Sequence, residues 1–239
     1  KACDSVTCVV SALAGLREVI IDAQKILLDG AVAAGVPRFI PSDYSIDFTK
    51  LPVGSNRNLD LRREFHTHLD KANIKATSIF NGAFADMLTG QMPLILFKIH
   101  RILHWGNAQQ QMDFTTIQNT ASFTAKVALD AAAPRFLRIA GDQLSPQQIR
   151  EVAGNVTGEK FGMLRVGGLG VLGTIIKIAR RLAPGKGELY PAWQGMQYMH
   201  NMLDGRAFLQ KLDNGRYKGM QWKSVSEVLT DHIAQLAKP

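Results

Sequence analysis

The chain has 239 residues, of which 46% are hydrophobic, 20% charged and 8% aromatic, and this balance excludes a disordered or fibrous protein. No uncharged apolar run reaches the roughly 18 residues that a membrane-spanning helix needs, so we expect no membrane partner. The net charge of +8 favours an anionic ligand, but the basic residues are scattered, which argues against nucleic acid as the partner.

The N-terminal part of the chain predicts a strand, a helix and a second strand. Residues 6–13 are a β-branched apolar run, which is typical of a buried strand. Residues 17–35 carry apolar side chains three and four positions apart, which predicts an amphipathic helix that ends at Gly35. Residues 38–41 form the second strand. Because the connection is short, we expect the two strands to be parallel, with a right-handed crossover.

The alternation of strands and helices continues to residue 141. The expected elements, after a polar loop at 43–57, are a helix over 59–72, a strand over 74–80, two short strands over 102–105 and 112–116 around a turn at Gly106 and Asn107, a helix over 117–130 and a strand over 136–140. Ser145 and Pro146 then begin a helix to about residue 157, and a last helix covers 225–237. This order predicts an α/β protein with a parallel sheet and a smaller, mostly helical lobe near the C-terminus.

Three strand ends of the predicted sheet are candidate ligand-binding positions. Ligands of open parallel sheets bind outside the carboxyl ends of the strands. The corresponding segments are 11–15, 41–45 and 80–84, and each is small or polar where its strand stops. Ordinary loop chemistry explains the same composition equally well.

The same strand ends carry a resemblance to a known family. Residues 36–44, with the sequence VPRFIPSDY, are similar to a signature of the NmrA-like and isoflavone-reductase-like proteins, which are atypical short-chain dehydrogenases. Further segments resemble later landmarks of that family in the same order: 61–65, 74–79, 81–84, 112–116 and 134–141. In this comparison residues 6–13 resemble the family's fourth strand, so its glycine-rich first turn would lie on the order of 70–80 residues upstream.

The resemblance implies a Rossmann-like NAD(P)-binding domain over residues 1–141 and a substrate lobe over residues 142–239. The implied cofactor is NADP or NAD. The residues expected to bind it are Ser11, Ala12, Leu13, Pro41, Ser42, Asp43, Phe80, Asn81, Gly82 and Phe84.

The catalytic residues depart from the usual patterns. Short-chain dehydrogenases usually use Tyr-x-x-x-Lys, and no tyrosine of this chain has a lysine four positions later. Isoflavone-reductase-like enzymes place a lysine on the helix after the Pro-Ser-Asp loop, and the matching position is Arg62. Arginine keeps its proton, so it can polarise a carbonyl but is a poor general acid, and we name Tyr44 as the alternative proton donor. A solvated surface charge is the other interpretation of Arg62.

Gly168, Gly170 and Gly173 match the pattern G-x-G-x-x-G, which can cradle a dinucleotide pyrophosphate. A strand-like run at 163–166 precedes them and a helix at 174–182 follows. No convincing second strand comes afterwards, whereas a complete βαβ unit needs roughly 30 residues or more. We therefore expect a loop and helix of the small lobe, with nucleotide binding as the alternative.

Residues 191–202 are rich in methionine and aromatic side chains. Trp193, Met196, Tyr198 and Met199 would suit the wall of a pocket for an aromatic or apolar substrate. Packing between the helical lobe and the sheet is the alternative. The histidines predict no metal site, because no third ligand accompanies either of the pairs His66/His68 and His100/His104.

Two functions follow from these observations. The first is an NAD(P)H-dependent oxidoreductase acting on a small aromatic, quinone or carbonyl substrate, which the pocket residues favour. The second is a redox-sensing regulator that binds the dinucleotide without turnover and acts through a protein partner, which Arg62 favours. Cys3 and Cys8 are close together and are interpreted as reduced thiols, so we expect a cytoplasmic protein.

Overall fold

A computed structural model describes Cys3 and residues 5–236 of the chain. Its strands are β1 (Val9–Val10), β2 (Arg38–Ile40), β3 (Lys75–Ala76), β4 (Ser78–Phe80), β5 (Ala83–Phe84), β6 (Ile95–Leu96), β7 (Arg101–Trp105), β8 (Met112–Thr115), β9 (Phe136–Arg138), β10 (Asp142–Leu144) and β11 (Gly162–Gly167). Its helices are α1 (Gln24–Ala33), α2 (Arg57–Leu69), α3 (Ile117–Ala128), α4 (Pro146–Thr157), α5 (Leu169–Leu182), α6 (Ala192–Leu203) and α7 (Val225–Leu236).

The main sheet is parallel, as the sequence predicts. β1 pairs with β2, β2 with β3, and β4 with β9, all in parallel. Only Thr77 separates β3 from β4, and its backbone N–H donates to the Phe39 carbonyl at 3.1 Å. The strands therefore follow the order β1, β2, β3 with β4, and β9, and their carboxyl ends lie at one edge.

Helices cover both faces of this sheet. Phe39 of β2 packs with Phe65 of α2 and Leu28 of α1 on one face. Its neighbour Ile40 packs with Phe123 of α3 on the other face. Alternate residues of a strand point to opposite faces, so the fully buried run in β2 is what a strand between two helical layers requires.

Two smaller sheets complete the fold. β8 pairs with β10 in antiparallel and with β5 in parallel, whereas β7 pairs with β11 in parallel and with β6 in antiparallel. The two strands expected around the Gly106 turn are therefore present but belong to different sheets. Gly106 does adopt a positive φ of 68°. The Gly106 and Asn107 pair therefore predicted the position of the turn correctly. It did not predict which strands β7 and β8 pair with.

Several element bounds differ from the sequence expectation. The first strand is shorter than residues 6–13, and the first helix begins with a π-helical turn over Glu18–Ala23. α2 begins at Arg57, because Asn56 caps it by accepting from the backbone N–H of Leu59 at 3.2 Å. α5 begins five residues earlier than expected. Residue 237, the expected end of the last helix, lies outside the described residues.

The loop at 43–57 is polar in sequence, but its first half is buried. Ser45, Ile46 and Phe48 are almost inaccessible to solvent. Asp47 is also buried, and its carboxylate pairs with the guanidinium of Arg138 on β9 at 2.9 Å. These positions are buried because the loop crosses the carboxyl edge of the sheet and packs against it.

The largest hydrophobic cluster contains residues from both sides of residue 141. Phe48, Phe80 and Phe114 precede that position, and Ile149 and Val225 follow it. The division into domains at residue 141 stays a prediction. No helix in the described part of the chain is both long and apolar enough to cross a bilayer.

Candidate functional site

Three predicted strand ends meet at the carboxyl edge of the main sheet. The Ser11 backbone N–H donates to the Ile40 carbonyl at 2.8 Å, which places Ser11 beside Pro41. The Asn81 backbone N–H donates to the Ser45 carbonyl at 3.0 Å, which joins the third strand end to the loop after the second. The predicted placement of Ser11, Pro41 and Asn81 along one edge is confirmed.

Buried polar atoms without a protein partner lie at each of these strand ends. The Ser11 hydroxyl, one carboxylate oxygen of Asp43 and both side-chain atoms of Asn81 make no hydrogen bond within the described part of the chain. An unsatisfied buried polar group costs roughly 1–3 kcal/mol. A polar ligand at this edge would offset that cost, so these atoms fit a ligand such as a dinucleotide.

The Pro-Ser-Asp loop is held in place from three directions. The Ser42 backbone N–H donates to Gln24 Oε1 of α1 at 2.8 Å, and its hydroxyl donates to the Leu13 carbonyl at 2.6 Å. Asp43 Oδ2 lies 2.6 Å from His66 Nε2 of α2. These contacts link the loops after β1 and β2 and leave the second carboxylate oxygen of Asp43 buried at the strand end without a hydrogen-bond partner among the described residues.

Arg62 is buried beside this loop. Its Nε donates to the Ser42 carbonyl at 2.9 Å and its Nη1 to the Asn58 carbonyl at 3.1 Å. It forms no ion pair within the part of the chain that the structure describes. The interpretation of Arg62 as a solvated surface charge was wrong, because the helix turns this position toward the sheet edge, where it is only 8% exposed.

Tyr44 lies in a different environment. Its ring packs in the cluster of Phe123 and Ile139 on the α3 side of the sheet. Burial raises the pKa of its hydroxyl to about 12, and a hydrogen bond with Thr124 opposes this shift. Tyr44 therefore holds its proton tightly. Its role as the proton donor stays a prediction.

Other predicted cofactor residues contribute through the backbone or through packing. Phe80 packs its ring against Phe48 and Phe136 at centroid distances of 5.3 and 5.8 Å, and so faces the core. Gly82 adopts a φ of +67°, and a Cβ at this position would lie 2.2 Å from the Asp113 carbonyl oxygen. Ala12 is exposed, whereas Leu13 and Phe84 are half-buried. Glycine is required at position 82 because the chain approaches β8 so closely.

The predicted pocket residues on α6 have different environments. The Trp193 ring lies between the guanidinium groups of Arg57 and Arg180, 4.8 and 5.2 Å from its centroid, and its indole N–H donates to the Pro184 carbonyl at 3.2 Å. Met199 is buried in the largest cluster, and Met196 is half-buried against it. These side chains contribute packing between α6 and its neighbours.

Tyr198 is the α6 residue that faces Arg62. Its hydroxyl is a hydrogen-bonding partner of the Asn58 side chain. Burial raises the pKa of Tyr198, and the positive charge of Arg62 is the first of the influences that oppose this shift. The structure therefore brings together a tyrosine and a permanent cation from different parts of the chain, next to the Pro-Ser-Asp loop.

Four amide side chains hold α6 against the start of α2, and we call them the amide junction: Asn56, Gln194, Gln197 and Asn201. Gln194 Nε2 donates to Asn56 Oδ1 at 2.7 Å, and Asn56 Nδ2 donates to Asn201 Oδ1 at 3.3 Å. Gln197 Oε1 accepts from the Arg57 backbone N–H at 3.1 Å. All four amides are buried. The junction therefore attaches α6, which carries Tyr198, to the start of α2, which carries Arg62.

The glycines of the G-x-G-x-x-G pattern lie away from the main sheet. β11 is an edge strand of a smaller sheet, and α5, which follows it directly, packs mainly against α6. No strand follows α5 in the described residues. The expectation of a loop and helix rather than a βαβ unit is therefore confirmed.

His66 and Asp113 are site-forming residues that the sequence analysis missed. His66 has the same helical face as Leu59, Arg62 and Leu69, and this spacing was the available signal for its burial. Asp113 accepts from Gln143 Nε2 at 2.6 Å and from the Leu209 backbone N–H at 3.0 Å. No group of three or more metal-ligating side chains is formed by the residues that the structure describes.

Comparison with known proteins gives one family match and several similar folds. A model of the NmrA-like family matches residues 1–194. No curated protein sequence matches the chain.

Three solved structures share the fold at low sequence identity. An isoflavone reductase superimposes with a TM-score of 0.77 at 13% identity, covering 96% of this chain and 76% of its own. AtPrR2 with NADP+ and (+)pinoresinol gives 0.76 at 19% identity, covering 95% and 75%. Leucoanthocyanidin reductase from Vitis vinifera with NADPH gives 0.76 at 17% identity, covering 96% and 78%.

Proposed function

Because the chain belongs to the NmrA-like family, we propose that it is an NAD(P)H-dependent reductase of a small aromatic, quinone or carbonyl compound. The cofactor would lie along the carboxyl edge of the main sheet. NADP is favoured over NAD, since two similar structures were determined with NADP+ or NADPH. One of them also contains (+)pinoresinol, which supports an aromatic substrate.

The observation that carries this proposal is the set of unpartnered polar atoms on Ser11, Asp43 and Asn81. These residues come from three adjacent parallel strand ends, where ligands of such sheets bind. Asn81 has both a donor and an acceptor to offer, so it can recognise an amide or a ribose hydroxyl. Ser42 and Gly82 would shape the site through their backbone.

The reduced cofactor would supply hydride, and the protein would supply a proton and a charge for the substrate oxygen. Arg62 cannot donate its proton at neutral pH, but its charge can stabilise a developing oxyanion. Tyr198 is better suited than Tyr44 to donate the proton, because the positive charge of Arg62 acts on its hydroxyl and lowers its pKa against the rise that burial causes. We propose Arg62 as the electrostatic residue and Tyr198 as the proton donor.

A dinucleotide-sensing regulator is the second candidate function. Related enzymes have lysine where this chain has Arg62, and this difference favours a sensor. Arginine keeps its proton, so it cannot replace a lysine that donates a proton during turnover. A sensor would bind reduced cofactor and oxidise it slowly in the presence of any substrate. The two candidates therefore differ in rate and not in cofactor affinity.

Stopped-flow oxidation of NADPH between pH 6 and 9 with quinone and carbonyl substrates tests these roles. With these generic substrates we expect slow but measurable turnover by the wild type and faster turnover by Arg62→Lys, since lysine can exchange its proton, whereas a sensor would stay slow in both proteins. Tyr198→Phe should lower the rate by roughly 10²-fold, which is the lower range for a lost general acid. NADPH binding should change little in either variant.

The matched variant Tyr44→Phe decides between the two tyrosines. A larger loss of rate in Tyr44→Phe than in Tyr198→Phe would assign the proton to Tyr44. Fast wild-type turnover that collapses in Arg62→Lys would show that the guanidinium itself is required, and the sensor function would then be rejected. Failure of the wild type to bind NADPH or NADH would contradict both candidates.

A further inference from the structure

The segment at residues 160–187 has an unusual charge distribution. It contains six Lys or Arg residues and no Asp or Glu, in a chain whose net charge is +8. Most of the excess positive charge is therefore concentrated on β11, α5 and the loop that follows.

α5 has two apolar faces, of which only one packs against the protein. Leu172 and Ile176 are buried in the largest hydrophobic cluster. Val171, Ile178 and Leu182 are 48%, 54% and 79% exposed. These three residues are seven and four positions apart, so they form one stripe along the outer side of the helix.

Basic side chains border this exposed stripe. Lys177 and Arg181 are exposed, and neither makes an ion pair or a hydrogen bond with any described residue. Arg181 is three positions from Ile178 and so borders the stripe, and Lys177 is four positions from Arg181, so the two cations form a row along one side of it. A helix with an apolar stripe and adjacent unpaired cations is typical of proteins that lie on an anionic lipid surface.

The apolar surface continues from α5 onto β11. Val166 is 44% exposed on this edge strand. A Cβ built on Gly167 would lie 3.1 Å from the Val171 side chain, so the strand end and the helix are in close contact. We call the set Val166, Val171, Lys177, Ile178, Arg181 and Leu182 the α5 surface.

We propose that the α5 surface docks on the headgroup region of an anionic lipid bilayer. The apolar stripe would enter the boundary between headgroups and acyl chains, and Lys177 and Arg181 would pair with lipid phosphates and carboxylates. The stripe lies on the convex outer side of a helix, which suits a bilayer surface better than a protein that needs a groove. Like charges disfavour a second copy of the chain as the occupant.

This contact requires no spanning segment, and it is independent of the proposed reductase activity. The earlier expectation of no membrane partner rested on the lack of a long apolar run, which does not bear on surface binding. A protein held at a bilayer would have access to apolar compounds that partition into lipid.

Sedimentation with lipid vesicles tests the proposal. The protein should bind phosphatidylcholine vesicles that contain phosphatidylserine. Its affinity for vesicles of phosphatidylcholine alone should be lower by about tenfold or more. The double variant Ile178→Asp, Leu182→Asp should weaken binding by about tenfold or more, because it removes the inserted apolar groups. Lys177→Glu with Arg181→Glu should do the same, and high salt should weaken wild-type binding.

Lys126→Glu with Leu129→Asp on α3 is the matched control. Leu129 is 84% exposed and Lys126 is exposed, but neither belongs to the α5 surface. This control should bind as the wild type does. All altered side chains are exposed, and circular dichroism would verify that each variant is folded.

Three results would overturn the proposal. The first is a wild type that does not sediment with phosphatidylserine vesicles. The second is binding that depends on the cations but not on Ile178 and Leu182, which would indicate a purely electrostatic attraction. The third is binding to a soluble acidic amphipathic peptide without binding to vesicles, which would identify a protein as the occupant.

Discussion

Asp113 is a buried carboxylate whose protonation is coupled to folding. Burial raises its pKa from 3.8 to about 6, although Gln143 and the Leu209 backbone both donate to it. Because the folded-state pKa is raised, the folded protein binds a proton that the unfolded chain releases between pH 4 and 6. This contribution to stability is complete below the unfolded pKa and is lost as pH rises through about 6.

We predict that Asp113→Asn removes this pH dependence. The neutral amide avoids the cost of a buried charge, and its oxygen can still accept from the Leu209 backbone N–H. The difference in unfolding free energy between the variant and the wild type should change by up to about 3 kcal/mol, in favour of the variant, as the pH rises from 4 to 7.5. Urea unfolding at both pH values measures the change.

The exposed residue Asp29 provides the control for this experiment. Asp29 pairs with Lys25 at the surface, so Asp29→Asn should shift stability by only a few tenths of a kcal/mol. A difference between Asp113→Asn and wild type that is the same at both pH values would refute the assignment of a proton to Asp113.

Individual residues show where sequence reasoning stops. The spacing of Leu59, Arg62 and Leu69 predicts one helical face, but it does not reveal that this face meets the carboxyl edge of the sheet. Arg62 and His66 are buried because the loop with Ser42 and Asp43 lies against them. That contact joins segments about twenty residues apart, and such contacts are invisible to a local pattern.

At the level of elements, local sequence signals predicted which helices and strands exist better than they predicted which strands pair. Ser145 and Pro146 mark the start of α4 correctly, and in the structure Gln148 completes a capping box with Ser145. β7 and β8 were also found, yet they do not pair with each other: β7 pairs with β11 and β6, and β8 pairs with β10 and β5. Alternating apolar residues identify a strand, whereas its partners depend on which surfaces remain to be covered.

Two glycine substitutions should separate the real sheet edge from the G-x-G-x-x-G pattern. Gly170 has open space around its Cα in α5. We expect Gly170→Ala to keep NADPH binding within a few fold and to change the unfolding free energy by less than about 1 kcal/mol. Gly82→Ala should lose more than about 2 kcal/mol, because position 82 needs a positive φ and has no room for a methyl group.

Thermal unfolding and NADPH titration would measure both effects. A folded Gly170→Ala protein that no longer binds the dinucleotide would contradict the assignment of the cofactor to the main sheet. Unchanged stability in Gly82→Ala would contradict the close approach of that turn to Asp113.

At the level of the whole molecule, we predict a single cooperative unfolding transition. The largest hydrophobic cluster joins Phe80 and Phe114 to Ile149 and Val225, so the residues after 141 share their core with residues before it. Tryptophan fluorescence and far-ultraviolet circular dichroism should therefore give the same urea midpoint. Two separate midpoints would instead support two folding units divided near residue 141.

The amide junction determines how future pH–rate profiles of this protein are to be interpreted. Asn56, Gln194, Gln197 and Asn201 have no charge to gain or lose, and the adjacent Arg57 stays protonated at any pH used in an assay. The attachment of α6 to α2 is thus constant while other groups titrate. A change of rate with pH then does not arise from loss of these contacts between α6 and α2.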